Sequence, residues 1–167
     1  MCRVMKLILL SGAVTIPTLS FGSEKITTGW IEPVRITPGN VLLDGKLDTG
    51  ADKSSLSCKC GKPQERDGKR WIRLSIKDRN GKLVEFEREV VRIAKIKRHA
   101  GQQQERPVVK LGLCIAHIYR EIEVNLVDRS GFKYPLLVGR NFLENSILVD
   151  SSMRKTTSPA CVNPGAS

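Results

Sequence analysis

The stretch Val41-Leu42-Leu43-Asp44-Gly45-Lys46-Leu47-Asp48-Thr49-Gly50-Ala51 decides how this chain is read. A short apolar run over Val41–Leu47 ends on an aspartate, followed by a hydroxyl residue, a glycine and a small side chain. A run of this length bounded by turn residues reads as a strand, so Asp48 stands where a strand gives way to a tight loop. Ser54-Ser55-Leu56 come next. Far downstream, Leu136-Leu137-Val138-Gly139-Arg140-Asn141-Phe142-Leu143 again runs from apolar residues into a glycine. Either segment alone is modest evidence; the two together, in this order, carry the weight.

Outward from these segments the chain reads as short strands. Residues 71–77 alternate at period two, with Trp71, Arg73 and Ser75 on one face and Ile72, Leu74 and Ile76 on the other. Asp78-Arg79-Asn80-Gly81 signals a hairpin, its Asn-Gly suited to a type I′ turn. Residues 82–97 continue as strand. A polar loop with Gly101 and three glutamines follows, then strand regions over 107–118 and 122–127. Residues 128–131 form a second turn, 134–138 a strand, 141–145 one helical turn, and 147–149 a last strand. The tail from Ser151 is polar, with Pro159 and Pro164, and is expected to be loose. Short strands with regular turn punctuation predict an all-β barrel or sandwich, with no internal repeat and no second domain.

The chain has 167 residues and a net charge of +11, which allows one domain with tails. At 40% hydrophobic it can form a core. Arg3 and Lys6 precede an apolar stretch broken by Ser11, Gly12 and Pro17, and Ser20-Phe21-Gly22 offers small residues for cleavage before Ser23. This is a secretory signal pattern, too short and broken for a membrane span. Residues 1–22 are therefore a signal peptide, 23–155 the folded domain, and 156–167 a flexible C-terminal tail. The expected product is secreted, periplasmic in a Gram-negative cell, with no membrane span left after cleavage. It would carry a charge of about +9 and four cysteines, Cys58, Cys60, Cys114 and Cys161. Cys58 and Cys60 look too close to bridge each other, so one of them with Cys114 is preferred. Basic residues are scattered and aromatics are only 5%, which argues against nucleic acid and for an anionic envelope component or acidic peptide as partner.

Leu47-Asp48-Thr49-Gly50-Ala51 with the later Gly139-Arg140-Asn141 segment resembles the retropepsin family of aspartic proteases. Asp52 adds to the match, because retroviral members also carry an acid there. The closer resemblance is to a bacterial retropepsin-like family, labelled an ATP-dependent zinc protease and found near glutamate-ligase proteins. Gly29-Trp30-Ile31-Glu32, Val127-Asp128-Arg129 before Tyr134-Pro135, and Leu148-Val149-Asp150 extend it over most of the mature chain. The resemblance implies a closed β-barrel with a flap hairpin and a short helix after the Gly-Arg motif. It also implies an aspartic endopeptidase acting on a peptide or protein substrate in the cell envelope.

The residue types suit that chemistry. Two carboxylates about 3 Å apart cannot both ionise, so one removes a proton from water while the other donates toward the scissile carbonyl. Asp48, Thr49 and Gly50 are the catalytic candidates. The Thr49 hydroxyl can bond a partner loop, Gly50 lets backbone approach the carboxylate, and small Ala51 leaves room for a peptide. Only one Asp-Thr-Gly is present, so a complete site needs a homodimer with Asp48 from each copy on the twofold axis. By the resemblance, Asp52 pairs with Arg140, whose guanidinium can clamp a carboxylate with two parallel bonds. Gly139, Ser54 and Ser55 support the aspartate loop. A spacing like that of retropepsins puts the flap at 98–105, with Gly101, Gln102 and Gln103 beside Ala51 and Asp52 as substrate-binding candidates. No cofactor or metal is expected: there is no HExxH, no convincing zinc ligand set and no Gly-x-x-x-x-Gly-Lys-Ser/Thr loop for ATP. A non-catalytic peptide-binding module on the same fold is the alternative reading, and a zinc-dependent hydrolase a weaker one.

Overall fold

The computed structural model describes residues 24–97, 103–129 and 131–162. The expected signal peptide, Gly101 and Gln102 lie outside the described residues. The strands are β1 (Ile26–Thr37), β2 (Val41–Leu47), β3 (Ser54–Ser57), β4 (Lys59–Cys60), β5 (Gln64–Arg66), β6 (Lys69–Lys77), β7 (Leu83–Lys97), β8 (Gln103–Ile115), β9 (Ile118–Val127), β10 (Leu136–Val138) and β11 (Ile147–Arg154). One short helix, α1 (Arg140–Leu143), follows the Gly139 turn.

The protein is all-β and its central sheet closes on itself. Neighbours run β1, β2, β10, β3, β9, β8, and the ring closes because Arg35, Ile36 and Thr37 at the end of β1 pair with Cys114, Leu113 and Gly112 of β8. Closure follows from the period-two pattern. Val41, Leu43 and Leu47 of β2 are buried, as are Leu111 and Leu113 of β8 and Leu136 and Val138 of β10, so one face of each strand turns to a common interior. Phe142 of α1 is fully buried and plugs the barrel beside the Gly-Arg turn.

The long strand β7 joins the barrel to a smaller sheet. Its second half pairs with β8, while its first half pairs with β6, which also takes β4 and β5 on its other edge. The predicted alternation is seen in β6, where Ile72, Leu74 and Ile76 are buried. The β6–β7 hairpin differs from the type I′ expectation. Among its turn residues only Gly81 has a positive φ, 82°. Asp78 accepts bonds from Asn80 N–H and Lys82 N–H through its side chain, both at 2.8 Å. The Asp78 carboxylate stabilises an ordinary turn that leaves Gly81 alone to take the left-handed conformation. Trp30 and Trp71 are half-buried; Trp71 carries the Arg66 guanidinium over its ring at 4.7 Å.

Two expectations about the C-terminal part are corrected. The segment from Ser151 is not loose over its described length. β11 runs to Arg154 and pairs in parallel with β1, and Thr156 and Thr157 each donate a backbone and a side-chain bond to the buried Glu32 carboxylate. The disulfides also differ: Cys58 bridges Cys60 and Cys114 bridges Cys161. The bend where the chain leaves β3 for the second sheet brings the Cys58 and Cys60 Cα atoms to 5.2 Å, within bridging range. Cys114 is reached instead by the returning C-terminal segment, where Ala160 N–H donates to Ala116 O at 2.6 Å.

Candidate active site

Asp48 sits at the exit of β2, and two loops crossing at the barrel end fix it there. Its backbone N–H donates to Val138 O at 2.8 Å, tying it to β10. The Gly50 N–H donates to Asp48 Oδ1 at 3.0 Å. A Cβ at Gly50 would lie 3.3 Å from that oxygen, so glycine leaves room for the carboxylate. Lys46 Nζ lies 3.4 Å from Asp48 Oδ2; both side chains are partly exposed, so this pair stabilises by at most about 1 kcal/mol. Thr49 and Gly50 are exposed, and the Asp48 side chain keeps 27% of its surface open. The single chain therefore presents one carboxylate outward.

The second loop is Gly139-Arg140-Asn141. Arg140 N–H donates to Ala51 O at 2.8 Å and Asn141 N–H to Asp52 O at 3.2 Å. A Cβ at Gly139 would lie 2.8 Å from Ala51 O and from the Lys53 carbonyl carbon, so only glycine lets the two loops cross this closely. Ser54 is buried beneath them. Its Oγ accepts from Gly139 N–H at 3.0 Å and donates to Asn141 Oδ1 at 2.8 Å. Asn141 also accepts from Ser54 N–H and donates from Nδ2 to Glu123 O of β9. Asn141 was quoted in the sequence motif without a role; its role emerges from contacts with β3 and β9 that sequence spacing does not show.

Asp52 and Arg140 come together as an ion pair. The contact differs from the two-pronged clamp expected. One end of the guanidinium meets Asp52, while Nη1 donates to Thr49 O at 2.9 Å. Arg140 thus braces the backbone of the aspartate loop. Ser55 does not support the loop from behind as Ser54 does, because neighbouring strand residues point to opposite faces; its Oγ accepts from Arg129 Nη1 at 3.1 Å. Gln103 begins β8 opposite Lys97 of β7, so residues 103–105 of the expected flap segment belong to β8; 98–102 lie outside the described residues. Asp150 accepts from Ser152 N–H and Oγ–H, which lower its pKa from the ordinary value against a small opposing effect of burial. These bonds are local to β11. Among the described residues no three His, Cys, Asp or Glu side chains converge, and Cys58, Cys60, Cys114 and Cys161 are all in disulfides. The donor set a zinc ion needs is not assembled there.

A closed barrel with an Asp-Thr-Gly loop crossed by a Gly-Arg-Asn turn defines the retropepsin-like class of fold. The family profile described as retropepsin-like aspartic endopeptidase RimB matches residues 27–159, and the chain belongs to this RimB-like family. A crystal structure of a protein of unknown function from Legionella pneumophila is 32% identical, with a TM-score of 0.67, covering 81% of this chain and all of that one. Curated relatives include a probable alpha-L-glutamate ligase of Shewanella pealeana, 27% identical over 117 residues. Another carries the same name in Parasynechococcus marenigrum, 29% identical over 115 residues. These matches take in 68% and 67% of this chain, and the chain spans about a quarter of the length of either relative.

Proposed function

We propose that the protein is an aspartic endopeptidase in which two copies of Asp48, one from each chain of a homodimer, activate a water for peptide hydrolysis. The observation that carries this reading is the crossed pair of loops. Gly139, Arg140, Asn141 and Ser54 hold the Asp48–Thr49–Gly50 turn rigid and leave Asp48 and Thr49 facing out of the chain. A group meant only to stabilise the barrel has no need of such an exposed, braced position. One carboxylate per chain cannot share a proton alone; a twofold partner supplies the second. A depression lined by Thr49, Arg140, Leu143, Glu144, Asn145 and Ile147 borders the loop and gives a second copy a surface to seat against.

The peptide substrate is acidic in this reading. The chain's basic excess supports it, as does the name of the curated relatives, which join glutamate in name. Export to an oxidising compartment is proposed as well, supported by the leader pattern of residues 1–22 and by the two disulfides.

Cleavage of a mixed peptide library between about pH 3 and 8 tests the activity. Wild type should cut, with or without chelator, and Asp48→Asn should lose roughly a thousandfold or more. Equal cutting by both proteins would remove Asp48 from the mechanism. No cutting by either, with peptide still bound, would leave the non-catalytic binding module.

A further inference from the structure

We propose that the Cys58–Cys60 bridge is a thiol–disulfide exchange site that takes two electrons from a substrate dithiol while the chain stays folded. The inference goes beyond the protease reading and does not rest on it.

The two bridges among the described residues stand in different settings. Cys114 is 1% exposed, and its Sγ accepts the Cys161 N–H at 3.2 Å, so one sulfur of that bridge is shielded from attack. Cys58 and Cys60 are both only half-buried. The sequence separation is 47 residues for Cys114–Cys161 and 2 for Cys58–Cys60. The entropy that a cross-link removes from the unfolded chain grows with the loop it closes. Cys114–Cys161 is therefore the staple of the fold, and Cys58–Cys60 contributes less to its stability. A bridge that stabilises little and stays open to solvent can break and re-form without unfolding the chain.

Backbone bonds hold the segment on both sides of the bridge. Ser57 N–H donates to Pro135 O at 2.8 Å in the barrel. Lys59 and Cys60 pair with Ser75 and Leu74 of β6, and Gly61 N–H donates to Arg73 O at 3.1 Å in the second sheet. The bridge thus sits at the joint between the two sheets, and none of these bonds involves sulfur. They keep the two thiols of a reduced pair near each other.

A thiol can approach from two sides. One depression brings Cys58 together with Lys59, Lys77, Leu83 and Pro135. Another takes in both Cys58 and Cys60 with Gly61, Pro107 and Asp128. The side with two lysines attracts an incoming thiolate, and the half-exposed Leu83 gives its apolar neighbours a wall to rest on. The substrate thiolate attacks Cys58 Sγ. A new S–S bond forms there, the Cys58–Cys60 bond breaks, and its electron pair leaves on Cys60, which takes up a proton. The second substrate thiolate then attacks the substrate sulfur of the mixed disulfide, and Cys58 leaves and is protonated. The substrate dithiol ends as a disulfide and the cysteine pair as two thiols, two electrons and two protons having crossed.

A reduced peptide with two cysteines, mixed with wild type under oxygen-free conditions and followed by alkylation and peptide mass mapping, tests this. Cys58 and Cys60 should become alkylated at least about tenfold faster than Cys114 and Cys161, with an unchanged near-ultraviolet circular dichroism spectrum. The peptide should be oxidised faster than by oxidised glutathione at equal concentration, and the Cys58→Ser/Cys60→Ser double variant should lose that rate. The mapping compares two bridges of one molecule, so it decides the matter even if the double variant misfolds. Opening of both bridges together, opening only as the dichroism is lost, or oxidation no faster than by oxidised glutathione would each overturn the proposal.

Discussion

Asp48, Gly139 and Glu32 show how much rests on single positions. In the proposed mechanism Asp48 acts chemically, and its loop is braced by others, so Asp48→Asn should fold as wild type while losing activity. Gly139 is the opposite case. Its missing Cβ is the space into which the Ala51 and Lys53 backbone fits. Gly139→Ala should destabilise by about 1–3 kcal/mol, read as a lower urea midpoint with an unchanged slope, and should lower activity through the displaced loop. At Glu32, burial pushes the pKa up, but the bonds from Thr156 and Thr157 outweigh it and hold it below the ordinary 4.5. The stabilisation is therefore complete above about pH 4.5 and fades as pH falls through the lower folded value. Glu32→Gln should cost about 1–3 kcal/mol at neutral pH. That gap should narrow in acid, as paired melts at about pH 7 and pH 3 would show. Of these residues, Asp48 and Gly139 were legible in the sequence because their motif is local. Glu32 was legible only as part of a motif, since its partners lie more than a hundred residues away.

At the scale of elements, the strands of the sequence reading are largely those of the structure. β2 matches it at both ends, because burial on one face writes a period-two pattern into the residues themselves. The polar tail carried no such pattern. β11 extends well past Val149 because β1 offers it an open edge, and hydrogen bonding to an edge requires no apolar side chains. The Cys114–Cys161 bridge then fastens the end of that segment to β8. It closes a loop of 47 residues, so Cys161→Ser should lower stability by about 2–4 kcal/mol. A thermal melt in the absence of reductant checks this. Wild type in reductant should fall to the level of the variant if this bridge dominates.

At the scale of the whole molecule, the proposed mechanism, with one outward-facing Asp48 per chain, makes activity a property of pairs. Specific activity should fall on dilution below the dimer dissociation constant, tracking the dimer fraction seen by analytical ultracentrifugation. Excess Asp48→Asn protein should poison wild type beyond simple dilution, because mixed dimers carry one carboxylate and one amide. Constant specific activity across dilution, with no poisoning, would point to a site complete within one chain.

The sequence by itself determined that the protein is all-β, where its main strands run, and which two segments meet around Asp48. Those properties are written in local patterns: alternating burial, turn residues, and a short motif with its partner. The tertiary structure alone decided the barrel closure of β1 on β8, the disulfide pairing, the docking of the C-terminal segment on Glu32, and the contact of Arg129 with Ser55. Each depends on which distant residues become neighbours when the sheet curls shut, and that is set by register and closure across the whole chain rather than by any one stretch of it.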